Sequence, residues 1–182
     1  MSENDKYYIE RCLDGHPDDF RYIVRRYQGV LLAHLAGKLG SRDRAEEAAQ
    51  ESFVRAYFNM DKLRNPGSFF SWLLGIADRV AKEHYRKEML HQQREVIRSF
   101  SAEAAGPELS QDYGLEAAIA ELPDSCRRVV LLRYYGGRSC SEVAQQLDLP
   151  LGTVTKTLSR AYAMLRKSLQ QPSETENCEV QK

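Results

Sequence analysis

No stretch of the 182 residues forms a long apolar run. A membrane-spanning helix needs about 20 consecutive, mainly apolar residues, so no membrane insertion is expected. The opening residues, MSENDKYYIERC, are polar and acidic. That excludes a secretory signal and points to a cytoplasmic protein. Cysteine is sparse and scattered, at Cys12, Cys126, Cys140 and Cys178, with no Cys-x-x-Cys pair. A disulfide framework and a structural zinc site are therefore not expected, and the thiols read as reduced and incidental. Net charge is absent too, because 26 Lys and Arg balance 26 Asp and Glu. Balance in total does not exclude a segregated charge, and the distribution decides.

The charge is segregated. Between Ser99 and Ser125 every charged residue is acidic. From Cys126 to Leu169 the chain turns basic, with Arg127, Arg128, Arg133, Arg138, Lys156, Arg160, Arg166 and Lys167 against Glu142 and Asp148. A basic block of this kind can bind phosphates locally while the total stays neutral.

That block contains residues 138–167, RSCSEVAQQLDLPLGTVTKTLSRAYAMLRK, which read as two helices joined by a tight turn. Ser139 suits an N-cap, and Glu142 three residues on completes a capping box. Asp148-Leu149 makes the turn, and Pro150 suits the first position of the next helix. Val154, Leu158, Ala161, Tyr162, Leu165 and Leu169 recur at helical spacing. The layout is that of a helix-turn-helix that reads DNA, and equally of a plain helical hairpin.

The rest of the chain is also helical in pattern. A short N-terminal helix carries Tyr8, Ile9, Cys12 and Leu13 and ends at Gly15 and Pro17. Asp18 is the expected cap of a second helix, which Gly40-Ser41 breaks. From about Asp43 to Phe58, Ala45, Ala48, Ala49, Ser52, Phe53, Ala56 and Tyr57 follow the helical period, and the small residues imply close packing. The opposite face carries Glu46, Glu47, Gln50, Glu51 and Arg55, read either as a solvated surface or as a docking face for a basic partner. Residues 59–67, NMDKLRNPG, form a loop. Ser68 is the expected cap of a helix from about Phe69 to Arg94, in which Arg79, Lys82, Arg86 and Lys87 are interleaved with Phe69, Phe70, Trp72 and Tyr85. Rings and cations together suit single-stranded nucleic acid, although Trp72 reads better as core. Residues 99–112 lose all periodicity around Gly106-Pro107 and read as a linker. Beyond it, a helix over 115–122 stops at Pro123, and Asp124 or Ser125 caps the next. The tail from Gln171 onward reads as disordered.

These elements predict an all-α protein of two small helical domains joined by a flexible linker, the C-terminal one a helix-turn-helix. The divisions fall at 1–98, 99–113, 114–170 and 171–182. No cofactor and no catalytic residue is expected. His84 and His91 lie about two helical turns apart and could share a face, but no third ligand accompanies them, so a metal hydrolase is disfavoured.

Three motifs, in order, resemble one family. RAEEAAQESFVRAY (44–57) is similar to the core-binding helix of the extracytoplasmic-function (ECF) group of sigma-70 family RNA polymerase sigma factors. FFSWLLGIADRVAKEHYRK (69–87) resembles the segment that melts and reads the promoter −10 element. Residues 122–165, with their GTV and RA signatures, resemble the −35-reading domain. The resemblance implies that the protein performs no chemistry and lends promoter specificity to core RNA polymerase. It implies that 1–98 is sigma region 2 and 114–170 sigma region 4. Glu46, Glu47, Gln50, Glu51 and Phe53 would meet the β′ clamp helices, with the β flap as a second polymerase contact. Residues 59–68, including Arg64 and Asn65, would hold a flipped −10 base, and Arg79, Lys82, Arg86 and Lys87 would supply phosphate contacts. Thr153, Thr155, Lys156, Ser159 and Arg160 would face the −35 groove, with Arg128 and Arg138 on the backbone. An anti-sigma factor is a further candidate partner. Two departures stand out: Asp78-Arg79 replaces the usual Arg-Asn, and Thr155-Lys156-Thr157 replaces the usual Lys-Ser-Arg. Both point to altered DNA readout. A polymerase-independent regulator is the competing reading, but it would not need the glutamate spacing of 44–57.

Overall fold

Where the chain turns is set by residues that tolerate unusual backbone. Gly40 closes helix α2 (Phe20–Leu39) at φ 65°, with its N–H on the Ala36 carbonyl. Asp148 closes α7 (Cys140–Leu147) at φ 53°, the left-handed region that Asp and Asn enter more readily than most residues. The computed structural model describes residues 3–95 and 114–170, with side chains for 5–89 and 114–170. The expected linker, the tail and Cys178 lie outside the described residues, as does the His91 side chain.

The described residues are helical throughout, with short turns. In order they form α1 (Glu3–Leu13), α2, α3 (Arg42–Phe58), α4 (Phe69–Glu95), α5 (Gly114–Glu121), α6 (Asp124–Tyr134), α7 and α8 (Leu151–Gln170). Helices α2, α3 and α4 pack on one another. Ala45, Ala48 and Ala56 are fully buried, and their small side chains let α3 approach its neighbours closely. Phe20, Phe53, Tyr27 and Phe69 interlock, with Phe69 6.4 Å from Phe20 and 6.2 Å from Tyr27 between ring centroids. In the C-terminal half, α8 packs on α5, α6 and α7. The two halves also touch: α5 and α6 lie on α2, and one continuous core runs through both.

Several caps come out as expected and several do not. The Ser139–Glu142 capping box forms, with Glu142 N–H on Ser139 Oγ (3.2 Å) and Ser139 N–H on Glu142 Oε2 (2.8 Å). Asp18 does not cap α2, because Pro17–Asp19 winds as a 3-10 turn and Asp19 takes the cap position without a side-chain cap bond. Ser68 stands directly ahead of α4 and also ends the 3-10 turn Pro66–Ser68, whose own cap is Asn65. Pro123, not Asp124 or Ser125, precedes α6, again with no side-chain cap bond. Pro150 stands one position before α8, its carbonyl accepting from Thr153 and Val154 N–H.

Candidate nucleic-acid and partner interfaces

Helix α3 presents a selected set of its polar residues. Glu47 and Gln50 are exposed. Glu46 is half-buried and accepts from Arg42 Nε at 2.8 Å. Glu51 is taken up internally: it accepts from Arg55 and lies 2.9 Å from His84 Nε2 on α4. The His84 bond, with Arg55 beside it, holds the Glu51 carboxyl below the usual carboxylate range. Arg55 also bonds both oxygens of Glu83, and Arg44 pairs with Glu88. These cross-links clamp α3 to α4 and leave the Glu47–Gln50 stripe outward. Phe53 does not reach that surface. It is 7 % exposed and packs edge-on against Phe20. Val54 (54 % exposed) and Phe58 (74 % exposed) continue the stripe at helical spacing instead. Neither is among the residues expected on this face, although their positions 7 and 11 residues after Glu47 carry the signal.

The loop and α4 carry the second candidate set. Arg64 and Asn65 are exposed, and Asn65 Oδ1 already accepts from Gly67 N–H at 3.0 Å. Arg79, Lys82 and Arg86 are exposed along one side of α4, with Lys87 and Tyr85 exposed beside them. Phe69 (1 % exposed) and Phe70 (2 % exposed) are core, so they offer no ring to a base, and Trp72 packs half-buried against Phe69.

The third set lies on α8. Val154, Leu158 and Ala161 point inward, which turns Thr153, Thr155, Lys156, Ser159 and Arg160 outward as one exposed face. Thr155 Oγ1 donates to the Gly152 carbonyl at 3.0 Å. On the far side of this half, Leu115, Ile119, Val130, Tyr134, Tyr162 and Leu165 line an apolar groove of about 300 Å³.

Arg128 and Arg138 are not grouped with the α8 face. Arg128 Nη2 lies 3.3 Å from Asp78 on α4, and Arg138 Nη2 donates to Ser68 Oγ at 2.6 Å. Asp78 also takes Lys38 (3.0 Å) and His34 (2.9 Å). Burial alone would raise the Asp78 pKa, but His34 and Lys38 outweigh it and hold the carboxyl well below its usual range. His34 is fully buried, and burial pushes its pKa down more than Asp78 lifts it, with Lys38 and Arg127 adding to the lowering.

A pH dependence follows. The folded-state value of His34 lies below its ordinary value of about 6.5, so the folded chain binds this proton less readily than the unfolded chain. The stability tied to the neutral ring is present above pH 6.5 and is lost as pH falls below it. The Asp78 contribution is lost at lower pH still, below about 4. Urea unfolding midpoints are expected to fall between pH 7 and pH 5, and His34→Gln is expected to flatten that slope.

Among the described residues no group of His, Cys, Asp and Glu could hold a metal ion, and no helix is long and apolar enough to cross a membrane. Residues 23–90 match the family model described as Sigma-70 region 2, and residues 114–165 match that of Sigma-70, region 4. The chain is 30 % identical over 176 residues to the ECF RNA polymerase sigma factor SigW of Bacillus subtilis, spanning 88 % of this chain and 94 % of that protein. It is 29 % identical over 181 residues to the ECF RNA polymerase sigma-E factor of Haemophilus influenzae, spanning 91 % and 95 %. Among solved structures, the sigma factor RpoE of Bartonella quintana, in complex with the anti-sigma factor NepR, shares the fold at a TM-score of 0.54. That match has 22 % identity and covers 85 % of this chain and 99 % of that one.

Proposed function

Because the chain belongs to the ECF group of sigma-70 family RNA polymerase sigma factors, we propose that its exposed α3 stripe docks on polymerase and its exposed α8 face reads the −35 element. The protein is a transcription initiation factor and not an enzyme. It binds core RNA polymerase and directs it to promoters, and we assign that work to the cytoplasm. The match over residues 23–90 removes the reading as a polymerase-independent regulator.

The observation that carries the assignment is the segregation of exposed groups. On α3, Glu47 and Gln50, which α4 does not take up, are exposed next to two exposed apolar side chains, Val54 and Phe58. A basic clamp would meet charge at Glu47 and apolar area at Val54 and Phe58. Phe53 supports this face from beneath. Glu46 and Glu51 hold its shape through Arg42, Arg55 and His84. The apolar groove beside Tyr134 and Tyr162 suits the β flap as the second polymerase contact.

For DNA, Arg79, Lys82, Arg86 and Lys87 contact phosphates of the melted strand while residues 59–68 hold the flipped base. Extruding that base costs a few kcal/mol, which the pocket and the phosphate contacts offset. Lys156 and Arg160 neutralise phosphates or read base edges from the groove, and Thr153, Thr155 and Ser159 offer short-range hydrogen bonds. An anti-sigma factor is a further candidate partner, as one binds the similar factor RpoE.

Lys156→Ala with Arg160→Ala tests the −35 reading. Promoter affinity of the reconstituted polymerase is expected to fall at least about tenfold, and the slope of log affinity against log salt to shrink by about 2. Unchanged affinity and slope would remove α8 from the DNA interface.

A further inference from the structure

We propose that α8 reads a thymine methyl group in the −35 element, through the side chain of Leu151 and the methyl of Thr155. The inference deepens the α8 assignment above and rests on it.

Leu151 is the first residue of α8, at the end that a recognition helix presents to base edges. Its side chain is 49 % exposed, and Thr155 follows one turn later on the same exposed face. What Thr155 can offer is set by its own helix. Its Oγ1 donates to the Gly152 carbonyl at 3.0 Å, a back-bond to the preceding turn that threonine can make inside a helix. The hydroxyl proton is used there, so Thr155 has none to give to N7 or O6 of a purine or to O4 of thymine. Its methyl and an oxygen lone pair remain. In the major groove thymine alone carries a methyl, and its partner adenine carries the N6 donor. Two aliphatic groups with one acceptor beside them therefore match an A·T pair, whereas a G·C pair lacks the methyl.

Two further positions agree. Gly152 starts the neighbouring ridge, which continues through Lys156 and Arg160, and a Cβ on it would meet no atom of the chain within 4 Å. Packing within the chain does not call for glycine there, whereas close approach of a partner to the backbone does. Position 155 is also where the resemblance leads one to expect lysine, a residue that donates to guanine O6 and N7. Threonine with its proton committed removes that donor and sets a methyl in its place. Lys156 and Arg160 keep the cations on the adjacent ridge, so the frame that meets phosphates is unchanged while the base preferred beneath Thr155 moves from guanine to thymine.

The test uses the full chain assembled with core RNA polymerase. The probe is a duplex carrying the −35 element of a promoter mapped with that polymerase. Each thymine of the element is replaced in turn by deoxyuridine, which pairs alike and lacks only the methyl. Wild type is expected to lose roughly fourfold in affinity, the worth of one buried methyl, at one or two of these positions and nothing at the others. Leu151→Ala with Thr155→Ser is expected to bind thymine and deoxyuridine duplexes alike at those positions. Thr155→Val, which keeps a methyl, is expected to retain the preference. Should the double variant not fold, Thr155→Ser alone decides. A wild type indifferent to every deoxyuridine overturns the proposal, and so does a preference that survives undiminished in the folded serine variant. Lys156→Ala with Arg160→Ala on the unmodified duplex tests the α8 assignment separately. If that pair weakens binding while no deoxyuridine does, α8 stays in the groove and the thymine reading falls; if both are silent, both readings fall.

Discussion

Phe69→Ala is expected to lower the melting temperature by roughly 10 °C. The ring is 1 % exposed and sits among Phe20, Tyr27 and Trp72, with the Trp72 centroid 5.9 Å away. Truncating a buried phenylalanine costs about 3–5 kcal/mol through lost burial and the cavity left behind. In a chain of this size each kcal/mol moves the midpoint by about 2–4 °C. The position matters beyond stability. Phe69 is the first residue of α4 and anchors it directly after the loop assigned to the flipped base. Thermal unfolding by circular dichroism checks the first effect. Promoter opening by the reconstituted polymerase, measured below the new midpoint, is expected to fall as well. A shift of only a degree or two would mean that the aromatic cluster is not the centre of this half.

Glu47→Lys with Gln50→Ala is expected to weaken core polymerase binding about 100-fold. Both side chains are exposed, and Lys and Ala are strong helix formers, so α3 keeps its helicity. The loss comes at the interface. Reversing one charge against a basic partner replaces attraction with repulsion, and such juxtapositions cost several kcal/mol. About 3 kcal/mol corresponds to roughly a hundredfold in affinity. Glu51→Gln should act differently, because Glu51 bonds His84 and Arg55 and works through the packing of α3 on α4.

Local chemistry was readable where it is carried by neighbours in sequence. The Ser139–Glu142 box, the Gly40 terminator and the Asp148 turn all follow from residues a few positions apart. The outward face of α8 followed from its apolar spacing. The missed cap at Asp18 has a cause: its chemistry is right, but it lies in a proline-led 3-10 turn, and cap preference does not reveal how the preceding turn winds. Phe53 takes a surface role only from the family resemblance, since its own spacing places it on the packing face of α3, and Phe69 takes one from the rings and cations interleaved along α4; tertiary packing buries both. The contact between the two halves was illegible for a further reason. Arg127 looks like one more cation in a basic block, and its burial depends on a glycine 90 residues earlier that leaves room for it.

The assignment of the α3 stripe as the polymerase contact is central to the proposed function. The most direct measurement is a titration of core RNA polymerase against labelled full-length chain, wild type beside Glu47→Lys with Gln50→Ala, with Lys156→Ala and Arg160→Ala as the comparison. A roughly hundredfold loss is expected for the α3 pair, and unchanged polymerase affinity for the α8 pair. A folded α3 pair that binds polymerase as tightly as wild type would contradict the assignment.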